Sequence, residues 1–365
     1  MSTPLNTGST PDTAGERQSE QARAANPPST RQGNLQDGST DARPARSGRA
    51  MSSLLGRLGP VMGLVLVFIF FGVLRPGTFL TGENMELILL QTAVVGIAAL
   101  GMTLIIVSAG IDLSVGSNIA LCTVVVALLL TRHVPPLLAG LGGVLTGAAC
   151  GLLISGLVTG LRLTPFIVTL GMWGALRGVA EGIAGNTTVV APTTWLNTLL
   201  TVLAPNQRWM LLPPGVWLMI ALAVLVAGAL RYTRVGRHIF AIGSNEQTAR
   251  LCGIAVEPTK VLIYTVAGAL VGVAGVLQFS YLTVGDPTTA VGYELNAIAA
   301  VVIGGASLSG GKGTVFGSLV GAMIMTTISN GSTKLDLANW VQNIVTGAII
   351  IFAVALDQWR GRRAQ

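Results

Sequence analysis

Gly236-Arg237-His238-Ile239-Phe240-Ala241-Ile242-Gly243-Ser244-Asn245-Glu246, continuing through Ala249-Arg250-Leu251-Cys252-Gly253-Ile254, is a polar, basic island in a chain that is otherwise almost entirely apolar. Long apolar runs flank it on both sides. Lys and Arg collect in the cytoplasmic loops of membrane proteins, so this stretch is expected to face the cytoplasm. Its charge and its glycine punctuation suggest a surface built to be gripped by another protein.

The rest of the chain supports a membrane setting. Of 365 residues, 51% are hydrophobic and only 10% are charged, and the mean hydropathy is +0.69. Soluble domains carry about 25% charged residues, so that class is excluded. The 47 glycines fit as well, because Gly lets membrane helices approach closely. The net charge of +7 follows from basic inner loops. Nucleic acid is not an expected partner, since aromatic residues make up 5% and none interleaves with a basic patch.

The sequence offers no metal or catalytic chemistry. Cys122, Cys150 and Cys252 show no ligand spacing, and His133 and His238 are far apart. There is no Ser/His/Asp set, no Cys/His neighbourhood and no carboxylate pair in a polar pocket. No cofactor and no enzyme activity are expected.

Residues 1–52 are rich in Ser, Thr, Gly, Pro, Gln and Ala without apolar periodicity, which predicts a disordered cytoplasmic tail. Residues 53–365 read as an all-α, polytopic membrane domain. Apolar runs fall near 58–74, 86–107, 114–131, 136–161, 165–184, 214–231, 259–282, 294–305, 314–331 and 339–357. A span needs about 20 apolar residues, so the count is about ten transmembrane helices, with the eighth run short enough to be broken or re-entrant. An even count puts both termini in the cytoplasm. It also puts Arg162, Arg231, Arg234, Arg237, Arg250, Lys260, Arg360, Arg362 and Arg363 inside. Arg75, Arg132, Arg208 and Lys334 fall outside, partly offset by Glu83, Glu86 and Asp336. The longest outer loop runs from Ala184 to Pro214, with Trp195 and Trp209 as candidate interface anchors.

Polar groups inside apolar runs are costly and therefore functional candidates. Ser108-Ala109-Gly110-Ile111-Asp112-Leu113-Ser114-Val115-Gly116 interrupts two runs. Asp112 and Ser114 read either as caps of the following helix or as lining of a transport route. Gly304-Gly305-Ala306-Ser307-Leu308-Ser309-Gly310-Gly311-Lys312-Gly313 imitates a phosphate loop. It lacks the first Gly and the final Ser/Thr of that motif and follows a membrane segment, so a tight cytoplasmic turn is predicted. Glu294 and Asn296 open the short eighth run, where a re-entrant half-helix would place them at a cavity mouth. Arg177 and Glu181 have the spacing of a helix ion pair.

Four segments together resemble the membrane-spanning permease subunits of bacterial ATP-binding-cassette (ABC) importers for monosaccharides, of the ribose, xylose and galactose type. They are Gly101-Met102-Thr103-Leu104 leading into Gly110–Gly116, then Thr169-Leu170-Gly171-Met172 with Arg177-Gly178, the middle loop, and Gly292-Tyr293-Glu294-Leu295 with Ala297–Gly305. The resemblance covers residue 58 to the end. It implies a homodimer embedded in lipid of the bacterial inner membrane. It also implies a cytoplasmic ABC ATPase below and a periplasmic sugar-binding protein above. The middle loop, 232–258, would be the coupling element, with Gly236, Arg237, Ala241, Gly243, Asn245, Glu246, Ala249 and Gly253 as its candidate residues. Gln247, Thr248 and Cys252 depart from the family's small residues, and the long N-terminal tail is atypical. Asp112, Ser114, Glu294 and Asn296 are the candidates for the translocation path.

Two alternatives remain open at this level. One is a proton-coupled secondary sugar carrier using Asp112 or Glu294. The other is a branched-chain amino acid ABC permease, which the Gly110–Ser114 segment disfavours.

Overall fold

The computed structural model describes residues 46–363. Residues 1–45, most of the predicted tail, lie outside the described residues. Contacts divide the chain into Met1–Arg49 and Ala50–Gln365, and the architecture below is that of the second unit.

The fold is all-α. Its elements are α1 (Arg46–Leu74), α2 (Pro76–Phe79), α3 (Gly82–Val107), α4 (Val115–Thr131), α5 (Pro136–Gly160), α6 (Pro165–Ala184) and α7 (Pro214–Tyr232), then α8 (Arg234–Ser244), α9 (Glu246–Leu251), α10 (Val256–Leu282), α11 (Tyr293–Ile303), α12 (Val315–Lys334) and α13 (Asn339–Arg363). Each of the ten apolar runs coincides with one helix. Among the described residues, α3, α5, α6, α7 and α10 are long and apolar enough to cross a membrane, and the chain is polytopic. Among the described residues, strand structure is confined to β1 (Val189–Val190) and β2 (Val284–Gly285), which pair antiparallel with Val189 opposite Gly285.

Local sequence sets the helix starts. Proline occupies the first turn of α2, α5, α6 and α7, where its missing N–H costs nothing. Thr81, Thr233, Asn245 and Thr314 cap α3, α8, α9 and α12, each accepting a backbone N–H with its side-chain oxygen.

Packing depends on glycine where helices touch backbone to backbone. α3 runs through the centre and is buried over nearly its whole length. α5 and α10 lie antiparallel along a seam in which Gly147 faces Gly268 and Gly272, and Gly151 faces Tyr264 and Gly268. A Cβ on Gly147 would stand 2.6 Å from the Gly272 Cα, a separation no side chain tolerates. Without a hydrophobic drive between helices in lipid, such close contact supplies the attraction.

Candidate functional site

Two helices start inside the bundle rather than at its ends. α3 ends at Val107, and Ala109 in the left-handed region (φ 63°) turns the chain back through Gly110–Ser114 before α4 begins. Likewise α10 ends at Leu282 and Thr283 (φ 63°) turns the chain into β2. The following segment, 286–292, re-enters the bundle and leads to α11. At 17 and 11 residues, α4 and α11 are about 25 and 16 Å long, so neither alone comfortably matches a bilayer core of about 30 Å.

Their amino ends meet. A Cβ on Gly116 would strike the Glu294 Oε2 and the Ala290 carbonyl. From this point α4 leads towards the paired strands, where Gly285 packs on Val124, and α11 leads towards the 304–314 turn. The meeting therefore lies between the two ends of the bundle.

Glu294 sits at this junction, 7% exposed. Its Oε1 accepts from Gly292 N (3.3 Å), while Oε2 is buried without a hydrogen-bond partner. The Trp173 indole lies beside the carboxylate, and the Arg177 guanidinium is within electrostatic reach. An acid at mid-membrane costs about 2.5–3.5 kcal/mol. Each helix N-terminus returns about 0.3–1 kcal/mol at the surface and up to about 2 kcal/mol where partly buried, and Arg177 adds a favourable charge.

Arg177 departs from the sequence expectation of a pair with Glu181. Its Nη1 donates to the carbonyls of Pro287 (2.6 Å) and Thr289 (2.8 Å), and its Nη2 is buried without a partner. The re-entrant segment presents carbonyls that lack intrahelical partners, and Arg177 Nη1 satisfies two of them. Gln278 braces the same segment through Thr289 Oγ1 (3.0 Å).

Asp112 is buried, and its Oδ1 accepts from both the Ser114 amide (2.8 Å) and the Ser114 hydroxyl (2.6 Å). The predicted cap by Ser114 is not made: its backbone is already helical and its oxygen accepts no N–H of α4, while its hydroxyl donates to Asp112. The buried Tyr264 hydroxyl packs on Gly110 without a hydrogen-bond partner. Asn296 stands half-buried in the first turn of α11. Asp112 and Ser114 therefore flank the start of α4, and Glu294 and Asn296 the start of α11. Sequence reasoning missed Trp173, Ser117 and the role of Arg177. The Ser117 hydroxyl is buried and unpartnered beside Gly116. The i, i+4 spacing of Trp173 and Arg177 on one helix face was the available signal.

The basic island folds as α8 and α9, two short helices joined at Asn245. The structure divides its candidate residues by exposure. Gly236, Gly243 and Ala249 are buried, Ala241 is half-buried, and Arg237, Asn245, Glu246 and Gly253 are exposed. Gly243 rests directly on the Val107 carbonyl, with Gly311 N 2.7 Å from where its Cβ would be. Gly311 N also donates to Val107 O (2.9 Å). The end of α3, the 304–314 turn and α8 thus form one packed knot, with α11 running from it to Glu294.

On the outer side of this island, Lys260 pairs with Glu246 (2.7 Å), and Arg250 pairs with Glu257 (2.6 Å) and Glu246 (3.6 Å). Glu257, in the first turn of α10, carries the shorter of the two Arg250 contacts. The contact with Glu257 raises the Arg250 pKa. Leu251, at the end of α9, is 89% exposed. A lone leucine in a polar stretch was the sequence signal for it.

A bundle of membrane helices with two half-helix starts around buried charge, and a packed helical projection at one end, defines a transport protein. Residues 84–354 match the family described as branched-chain amino acid transport system / permease component. Among similar proteins, the ribose import permease protein of Escherichia coli (strain K12) is 38% identical over 81% of this chain and 92% of its own length. The fructose import permease protein of Rhizobium meliloti is 36% identical over 82% of this chain and 84% of its own. The L-arabinose ABC transporter permease protein of Azospirillum brasilense is 33% identical over 87% and 92%. No solved structure matches the chain. The chain belongs to this family of transport-system permeases.

Proposed function

We propose that this chain is the membrane subunit of an ABC importer for a monosaccharide, with the path running past Glu294, Asn296, Asp112 and Ser114. The meeting of α4 and α11 around Glu294 carries the reading. Discontinuous helices whose amino ends point at one site are how transporters expose polar groups at mid-membrane without unpaired backbone. The names of the relatives favour sugar over amino acid as cargo, although the family's description mentions branched-chain amino acids. Unpartnered Glu294 Oε2, Arg177 Nη2 and Ser117 Oγ suit transient hydrogen bonding to hydroxyl groups.

In this reading the chain crosses the bacterial inner membrane about ten times, both termini are cytoplasmic, and it catalyses no reaction itself. The α8–α9 projection seats a cytoplasmic ABC ATPase, and a periplasmic sugar-binding protein delivers cargo at the opposite end. Two copies assemble in lipid. Gly171, Gly174, Gly178 and Gly182 of α6 have nothing within 4 Å of where a Cβ would lie. They leave a strip of small residues along which a second copy can approach. ATP-driven closure would shift the balance between two arrangements of the bundle.

Two experiments test this. Gly243→Trp pushes a bulky ring into the Val107 carbonyl and displaces α8. Co-purification of the ATPase should fall to background while the chain still accumulates in the membrane. Retention at the wild-type level would remove α8–α9 as the ATPase seat. In reconstituted vesicles, uptake should require ATP and the ATPase. Accumulation driven by a proton gradient alone would instead establish the secondary-carrier reading, for which the unpartnered Glu294 oxygen is the specific motive.

A further inference from the structure

Beside α9 lies a cavity of about 440 Å³, lined by Arg162, Leu163 and Pro165 of the α5–α6 turn, by Glu246 and Arg250, and by Glu257 and Lys260 of α10. Its charges are unevenly matched. Both glutamates are engaged, Glu246 with Lys260 and Arg250, and Glu257 with Arg250. Three cations and two carboxylates line the wall, so one positive charge remains (3 − 2 = +1). That charge is Arg162, which is exposed and, among the described residues, makes no ion pair.

The backbone gives an independent reason to single it out. α5 closes at Leu161, and Arg162 follows in the left-handed region (φ 54°). Gly or Asn is the ordinary occupant of that position after a helix. Here a long cationic side chain is held in a conformation it disfavours, at the rim of a cavity that contains no partner for it.

We propose that this cavity is part of the ATPase docking surface, and that Arg162 receives an aspartate or glutamate side chain of the ATPase. The inference rests on the α8–α9 projection being the ATPase seat, and it adds a second attachment point on a different loop. The cavity is roomy enough to take a carboxylate side chain. The wall glutamates are neutralised by Arg250 and Lys260, so the unpaired charge of Arg162 is where an incoming carboxylate is held. An arginine fork can hold a carboxylate through two parallel bonds.

The test uses the full chain purified with its ATPase in detergent without anionic lipid. ATPase retention is read at increasing salt for wild type, Arg162→Gly, Arg162→Glu and Gly243→Trp. Arg162→Gly relieves the left-handed backbone, so it should match or exceed wild type in thermal stability. Its ATPase retention should nevertheless fall about tenfold, with Arg162→Glu falling further. An acid-to-lysine change in the ATPase that restores binding to Arg162→Glu would identify the pairing residue. If both Arg162 variants retain the ATPase while Gly243→Trp loses it, the inference is overturned and the seat stands. If Gly243→Trp also retains it, the seat itself is wrong. In a parallel arm with phosphatidylglycerol added to the detergent, loss of lipid binding by the Arg162 variants with the ATPase kept would show that the arginine serves lipid, and the proposal fails.

Discussion

Glu294→Ala is expected to lower ATP-dependent sugar uptake by about two orders of magnitude or more while leaving the ATPase bound. The carboxylate sits where the amino ends of α4 and α11 meet, within reach of Arg177. Removing the carboxylate takes the strongest nearby opposite charge from the half-buried Arg177 guanidinium. The re-entrant segment held by Arg177 through Pro287 and Thr289 would then lose its position together with the path. Glu294→Gln keeps the shape and the bond from Gly292 but not the charge, and a loss of about tenfold is expected. Uptake of a panel of radiolabelled pentoses and hexoses into vesicles measures both. Wild-type uptake by the glutamine variant would show that the charge has no part in transport. The ATPase readout matters because α11 separates Glu294 from the α8 knot by about 16 Å. Loss of both activities at once would point to misfolding rather than to the path.

Gly268→Leu is expected to prevent accumulation of folded protein. The position faces Gly147 and Gly151 across the α5–α10 seam, with Gly151 Cα and N each 3.0 Å from where a Cβ would lie. The obstacles are backbone atoms, which cannot rotate away as a side chain would. The helices must separate along the seam, and the cost exceeds the usual 1–3 kcal/mol of overpacking. Gly268→Ala sets a Cβ against the same backbone atoms and should also lower the thermal midpoint, though less than leucine. Gly228→Ala on α7, with nothing within 4 Å, should be close to neutral. Size-exclusion profiles and thermal midpoints of the three variants in detergent give the comparison. Equal behaviour of Gly268→Leu and Gly228→Ala would rule out the seam as the element that holds α5 to α10.

Much of the architecture is legible along the chain because lipid imposes a simple rule: a crossing segment must be apolar and must satisfy its own backbone. The ten apolar runs therefore mark ten helices, and the 11-residue α11 is visible as a run too short to cross. The island from Gly236 to Ile254 stands out by charge alone. Pairings between segments are not legible in this way. Arg177 and Glu181 have the spacing of an ion pair, yet the carbonyls of a segment 110 residues away compete successfully for the guanidinium. Ser114 has the identity of a cap, but its oxygen accepts no N–H of α4 and its hydroxyl donates to Asp112 two residues earlier.

Composition, hydropathy and four short motifs by themselves determined that this is an all-helical membrane permease with a basic, polar projection, since those properties depend on transfer of local segments between water and lipid. Only the tertiary structure decided that α4 and α11 start face to face on Glu294, that Gly243 locks α8 to the end of α3, and that Arg162 has no counter-charge among the described residues. Each of these depends on which groups meet across the bundle, and a buried charge or a missing Cβ acquires its meaning from neighbours that are remote in the chain.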